Sequence, residues 1–368
     1  MPSRSQLSKS RVWGVIAGTL ICLPALCESA PATKAIPADP LEMATGQVRP
    51  VRNLAGRTAV LTMLGRARDR YGLRGAGSAY DLKVTFNVDS GGQTDFDGAW
   101  QMEDVFDPKL GLRWTAKNAG AYSITRISSH GAIWEDATAN DIPLRLEEAR
   151  AALLDPIAPA GSVAREALRT TRGTLNGVQL DCILYAGGTD GADSKAGAGR
   201  RWQESEDCID PTSGLLRVHS QVPGRYYLYD YSRQVQLGGR LLPGKVTVTE
   251  GGKTVSEISV ESLTQIPSAE PALFAPTDAM KAKGQVTPLG GAQKRVLTIG
   301  QGAVSDVVCV FGAVTTAGQL TEAHSLEPSD PNSEKAVTAA KEKFSFAPLP
   351  GAHEQQHFIF VITRFLSD

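Results

Sequence analysis

From residue 80 onward the chain alternates. Leu82, Val84, Phe86 and Val88 are apolar, and Lys83, Thr85 and Asn87 between them are polar. That is the period-two signature of a strand with one wet face. Gly91 and Gly92 mark a turn, and further strands are expected near residues 96–105, 112–116, 122–127 and 132–135. Two stretches keep a helical period instead. Residues 54–72 set Leu54, Val60, Leu61 and Leu64 near one face, with Arg66, Arg68 and Arg70 late in the segment, where cations suit the helix dipole. Residues 143–154 set Ile142, Leu146, Ala149 and Leu153 on one face, and Asp141 stands where an N-cap belongs. Strands are expected again at 175–184, 201–204, 215–220, 226–231, 245–248 and 255–263. The last two form a hairpin around Glu250-Gly251-Gly252-Lys253.

A shorter unit closes the chain. Residues 307–314 are a nearly all-apolar strand, Ala317-Gly318 a turn, and 320–326 a second strand. A helix follows Asp330-Pro331, with Ala336, Val337, Ala340 and Phe344 on its buried face, and residues 358–362 form the closing strand. The stretches 31–53 and 266–293 are rich in Pro, Ala and Gly and read as linkers. The expected layout is therefore a leader at 1–30, a β-rich domain at 54–265 and a small β-β-α-β domain at 294–368.

Composition narrows the function. Of 368 residues, 42% are hydrophobic and 21% charged, a folding composition. The net charge is −1. That balance argues against a nucleic-acid partner, which would need clustered cations. Residues 1–11 are basic and 12–27 uncharged, and the small Ser29, Ala30 and Ala32 follow, which is the layout of a secretory signal. The uncharged run contains Pro24 and falls short of the roughly 20 residues of a membrane span. A cleaved signal and a periplasmic or secreted protein are expected, with a retained N-terminal anchor as the alternative. Beyond the signal remain Cys182, Cys208 and Cys309. Export permits disulfides, and pairing Cys182 with Cys208 would close the Gly-rich loop 187–199. Cys309, amid Val307, Val308, Val310 and Phe311, reads as a buried thiol in a strand.

The chemical motifs are sparse. His353-Glu354-Gln355-Gln356-His357 spells H-E-x-x-H, whose zinc chemistry needs both histidines on one helix. Pro348 and Pro350 precede it and the strand from Phe358 follows, so a polar loop is expected, with a zinc protease as the remote alternative. One calcium-repeat-like unit at 187–193 lacks the stacked copies such sites require. His130 and His219 sit in no catalytic motif, and the aromatic run Tyr226–Tyr231 reads as core packing. No catalytic residue, metal site or cofactor is expected.

Two resemblances add to this reading. Residues 308–314, the Ala317-Gly318-Gln319-Leu320 turn, the helix 335–344, Phe346-Ala347-Pro348 and the strand 357–365 together resemble the C-terminal domain of the TonB family. Residues 54–265 resemble the lipoprotein-sorting family of the LolA and RseB type. The resemblance is carried by Cys208-Ile209-Asp210-Pro211-Thr212-Ser213-Gly214-Leu215-Leu216, then Tyr229-Asp230-Tyr231, Leu242-Pro243-Gly244 and residues 245–263. They imply an α+β protein: a curved antiparallel half-barrel wrapped on helices, then the small TonB-like domain. They also imply a cavity for a lipid or acyl chain, or a face for an envelope protein. The small domain would contact its partner through an edge strand by β-augmentation. A membrane-anchored energy transducer is the alternative function.

Overall fold

The computed structural model describes residues 39–43, 48–120, 122–139, 141–186, 200–201, 204–287, 295–299, 306–343, 345–348 and 357–365. The expected signal, the Gly-rich stretch 187–199 and residues 353–356 of the H-E-x-x-H motif lie outside them. No helix among the described residues is long and apolar enough to cross a membrane.

Two short strands, β1 (Glu42–Met43) and β2 (Arg49–Pro50), precede helix α1 (Leu54–Tyr71). Asn53 caps α1 by accepting the Gly56 N–H at 2.7 Å, and Arg68 and Arg70 occupy its last turn. Five strands follow: β3 (Tyr80–Val88), β4 (Gly98–Asp107), β5 (Gly111–Asn118), β6 (Tyr122–Ser129) and β7 (Ala132–Ala137). Helices α2 (Leu144–Leu154) and α3 (Ala160–Val163) lead into β8 (Ala167–Leu175), β9 (Val178–Ala186), β10 (Ser205–Ile209), β11 (Leu216–Val222) and β12 (Arg225–Asp230). A small hairpin, β13 (Val235–Leu237) with β14 (Arg240–Leu242), interrupts before β15 (Lys245–Glu250) and β16 (Lys253–Gln265).

These strands make one antiparallel sheet in the order β1-β8-β9-β10-β11-β12-β15-β16-β3-β4-β5-β6-β7, with β2 also on β8. Two meanders are thus joined where the last strand, β16, pairs with the first long one, β3. Both helices pack on one face. Leu64, Ala67 and Tyr71 of α1 and Leu146, Ala149 and Leu153 of α2 share a core with Leu82, Val84, Phe86, Trp100 and Ile258. The Phe86 and Trp100 rings stack at 5.4 Å, so the centre of this face is filled by side chains.

Sequence and structure differ at three places in this region. The strand expected at 175–184 starts later, as β9 at Val178, and β8 (Ala167–Leu175) before it was not expected; Asn176 and Gly177 take positive φ and turn the chain between the two. The strand expected at 201–204 lies further on, as β10. Residues 266–287, expected as linker, include a 3-10 turn at Pro271–Phe274 and helix α4 (Asp278–Lys283). Ala269, Phe274 and Met280 bury against Val105 and Ile127, and Val286 N–H bonds the Ile133 carbonyl at 2.9 Å. Two large apolar anchors are enough to hold a Pro- and Ala-rich segment along the β7 end of the sheet.

The C-terminal sheet holds β17 (Arg295–Ile299), β18 (Asp306–Val314), β19 (Leu320–Ser325), helix α5 (Ser333–Lys343) and β20 (His357–Phe365). Its order is β17-β20-β18-β19, with β17 parallel to β20. The strand β17 therefore precedes the expected β-β-α-β order. Strand β18 is apolar on both sides because both are covered. Cys309, Phe311 and Ala313 pack with Leu144, Val222 and Leu326, while Val308, Val310 and Val314 pack with Ala336 and Ala340 of α5.

Candidate functional site

The two sheets meet over a buried ion network. Arg145 of α2 bonds both oxygens of Glu250 on β15, at 2.6 and 3.0 Å, and Glu322 on β19 at 2.6 Å. Arg225 of β12 bonds Glu250 at 2.7 Å and pairs with Glu148 of α2 at 2.6 Å. His324 of β19 bonds the second oxygen of Glu250 through Nε2. The Phe311 ring lies 4.6 Å from the Arg145 guanidinium and 4.9 Å from that of Arg225. Burial alone would raise Glu250, but Arg145 and Arg225 outweigh it and hold its carboxyl well below the usual range. Burial pushes Glu148 up, against Arg225 and Arg145. Asp141, expected to cap α2, instead accepts the Thr316 N–H at 3.0 Å and also its hydroxyl. Pro143 precedes α2 with no side-chain cap. The C-terminal sheet has taken the capping carboxylate.

Beside this network, between the helices and the sheet, opens a cavity of about 770 Å³. Its walls mix charged and aromatic groups, Arg68 and Tyr71 from α1, Glu148 and Arg150 from α2, Trp114, His219 and Tyr227 from the sheet, with the aliphatic Leu154, Pro156 and Ile157. Arg150 bonds Asp104 at 2.9 Å and lies 4.8 Å from the Trp114 ring centre. Arg68 pairs with Asp155 at 2.8 Å. His219 Nδ1 meets Asp207 Oδ1 at 2.7 Å, and the Tyr185 hydroxyl donates to the other Asp207 oxygen at 3.0 Å. An acyl chain laid against these guanidiniums and carboxylates would strip their water without replacing its hydrogen bonds. The lining suits a polar or charged guest.

Cys182 and Cys208 are joined by a disulfide between directly paired positions of β9 and β10. They sit with Val218 and Tyr226, on the opposite sheet face from Asp207, His219 and Tyr227. Glu206 lies beside the two sulfurs, but both are engaged in the bridge, so the trio is not a ligand set for a metal. Cys309 is buried in β18, outside the bridge. His130 is a turn residue with φ 50°. His357 opens strand β20, where a zinc protease motif would need a helix. The aromatic run splits by face: Tyr227, Tyr229 and Tyr231 join the main core and Tyr226 the other side.

Sequence reading missed the Asp207–His219 pair and the whole ion network. The signal for the pair was the hairpin around Asp210–Gly214. Its bulge between Cys208 and Ile209 shifts the register by one, so counting outward from the turn sets His219 opposite the wrong neighbour.

No family model matches the chain, and no curated protein sequence matches it. Solved structures overlay on part of it. A LolA superfamily protein from Nitrosomonas europaea is 8% identical with a TM-score of 0.36, over 58% of this chain and 96% of that one. MucB is 9% identical with a TM-score of 0.27, over 60% of this chain and 64% of that one. MucB in complex with MucA(peri) is 11% identical with a TM-score of 0.23, over 56% of each chain. At these scores the overlays carry no inference about function, which rests on the geometry above.

Proposed function

We propose that the chain is a non-catalytic binding protein of a Gram-negative-type cell envelope. It acts on another protein, taken as an extended segment on the outer edge of β17. The observation that carries this reading is the unequal state of the two edges of the C-terminal sheet. The β19 edge faces the large sheet and is closed. Gln93 accepts the Ala323 N–H at 2.9 Å, and Glu322 and His324 are held in the ion network. The β17 edge pairs with β20 on one side and has no strand on the other among the described residues. An unpaired edge is a template for one more strand, and a partner backbone can supply it. The ion network fixes the sheet that presents this edge, so little order has to be gained on binding.

The charged cavity weighs against an acyl-chain carrier. The anchored-transducer alternative would require residues 12–27, outside the described part, to stay in a membrane. Location in the periplasm belongs to the same proposal.

The test is photo-crosslinking in a producing cell, with the reactive side chain at Thr298 on β17 or at Thr321 on β19. The expected result is a discrete protein adduct from Thr298 and none from Thr321. Adducts from Thr321 alone, or from neither, would overturn the reading.

A further inference from the structure

The chain as a whole carries a net charge of −1, but its arginines are not evenly spread. From β2 to the end of the 3-10 turn Leu73–Ala76 there are seven arginines, no lysine and a single carboxylate, Asp69. Helix α1 runs through this stretch, and its 18 residues make it about 27 Å long. Val60, Leu64, Ala67 and Tyr71 turn one face into the core, which leaves Ala55, Thr58, Ala59, Thr62 and Arg66 exposed on the other. Arg52 is exposed before its first turn, and Arg70 and Arg74 are exposed at its far end. The helix dipole accounts for Arg68 and Arg70 in the last turn, but it works against Arg52 and Arg57 at the first.

Little of this charge is neutralised nearby. Arg68 pairs with Asp155 at 2.8 Å, and Asp69 lies 4.0 Å from Arg240 of β14. Arg57 bonds the Ala164 and Glu166 carbonyls, and the Glu166 charge is offset by its exposed neighbour Arg165. Arg70 bonds the Ser213 carbonyl, whereas Asp210 is held within its own turn by Thr212 and Ser213. Arg52, Arg66, Arg70 and Arg74 have no carboxylate partner among the described residues.

The face offers charge and no shape. The exposed side chains between its arginines are small, and residues 52–67 line neither cavity. It carries no exposed aromatic side chain to anchor a protein interface or to stack on bases. Its cations are all arginine, whose planar fork takes two phosphate oxygens at once. A layer of lipid headgroups needs no more than this, and Leu54, 81% exposed beside Arg52, supplies an apolar side chain for its inner margin.

We propose that α1 docks the chain on an anionic membrane surface, with its arginines on phospholipid phosphates. The contact is with the surface and takes up no single lipid. It is separate from the β17 edge, so either assignment stands if the other fails.

The test is co-sedimentation of the full exported chain with vesicles, at low salt and at about 0.5 M salt. Vesicles of equal parts phosphatidylglycerol and phosphatidylcholine should retain it, vesicles of phosphatidylcholine alone should not, and the higher salt should release it. An arginine at such a surface is worth roughly fivefold in affinity, so the double variant Arg52→Gln with Arg66→Gln should bind about twentyfold more weakly. Lys281→Gln with Lys283→Gln removes the same charge from α4 and should change nothing. Equal binding to both vesicles, binding to neither, full affinity in the arginine variant or an equal loss in the lysine variant would overturn the proposal. So would retention on immobilised poly-glutamate without binding to phosphatidylglycerol, which would assign the patch to an acidic protein.

Discussion

Glu250 is the residue on which most of the buried charge converges. It is 3% exposed, and Arg145, Arg225 and His324 all bond it. Glu250→Gln keeps the shape and removes the charge, leaving two buried guanidiniums short of a counter-ion. The expected loss is about 3–5 kcal/mol in denaturant unfolding. Its pKa is depressed in the folded chain, so its contribution is complete above the ordinary value of 4.5 and is lost as pH falls below that. Glu206 acts in the opposite sense. Burial, opposed by Arg200, raises it to about 7 from 4.5, so it favours the folded chain at low pH and that help is lost as pH rises through about 7. Calorimetric melting should therefore peak near about pH 4.5 and decline toward about pH 7, and a maximum above pH 8 would contradict that balance. The disulfide belongs to the same scale. A non-reduced tryptic digest of exported protein should yield Cys182 and Cys208 as one linked pair, and reduction should cost about 3 kcal/mol. That bridge was legible from two cysteines flanking a loop. The network was not, because nothing in the order of residues says that Glu250 and Arg145 will be neighbours.

At the scale of elements, the strands declare themselves by alternation and α1 by its apolar face and late arginines. Helix α2 shows where that reading stops. Its apolar positions predict one buried face, and Arg145 and Glu148 then fall on what should be the wet side. They are 3% and 8% exposed, because β19 brings Glu322 against them. A helix charged on one side looks the same in sequence whether water or a second sheet lies there. The join is tight in backbone terms as well. Gly224 has φ +89°, and a Cβ there would meet the Leu326 carbonyl oxygen at 2.6 Å. Gly177 has φ +78° with open space around it. Gly224→Ala should cost more than Gly177→Ala, by about 1–3 kcal/mol, and speed amide exchange in β19. Equal losses in the two variants would show that the sheets do not meet at Gly224.

At the scale of the molecule, a large antiparallel sheet carries two helices, an open charged cavity, and a small sheet held by ions and a thin apolar seam. The apolar run at 307–314 was readable as a strand, and it is β18 of the four-stranded sheet. The character of the cavity was not readable, since its walls come from α1, α2 and strands far apart in sequence. The family resemblance left open a lipid cavity or a face for an envelope protein, and Arg150, Glu148, His219 and Trp114 on the walls favour a polar guest over a lipid. The most direct measurement is native mass spectrometry of the protein taken gently from the envelope of a producing bacterium. A complex with another protein, and no adduct of lipid mass, is the predicted result. Stoichiometric lipid-sized adducts on an otherwise solitary chain would contradict the account.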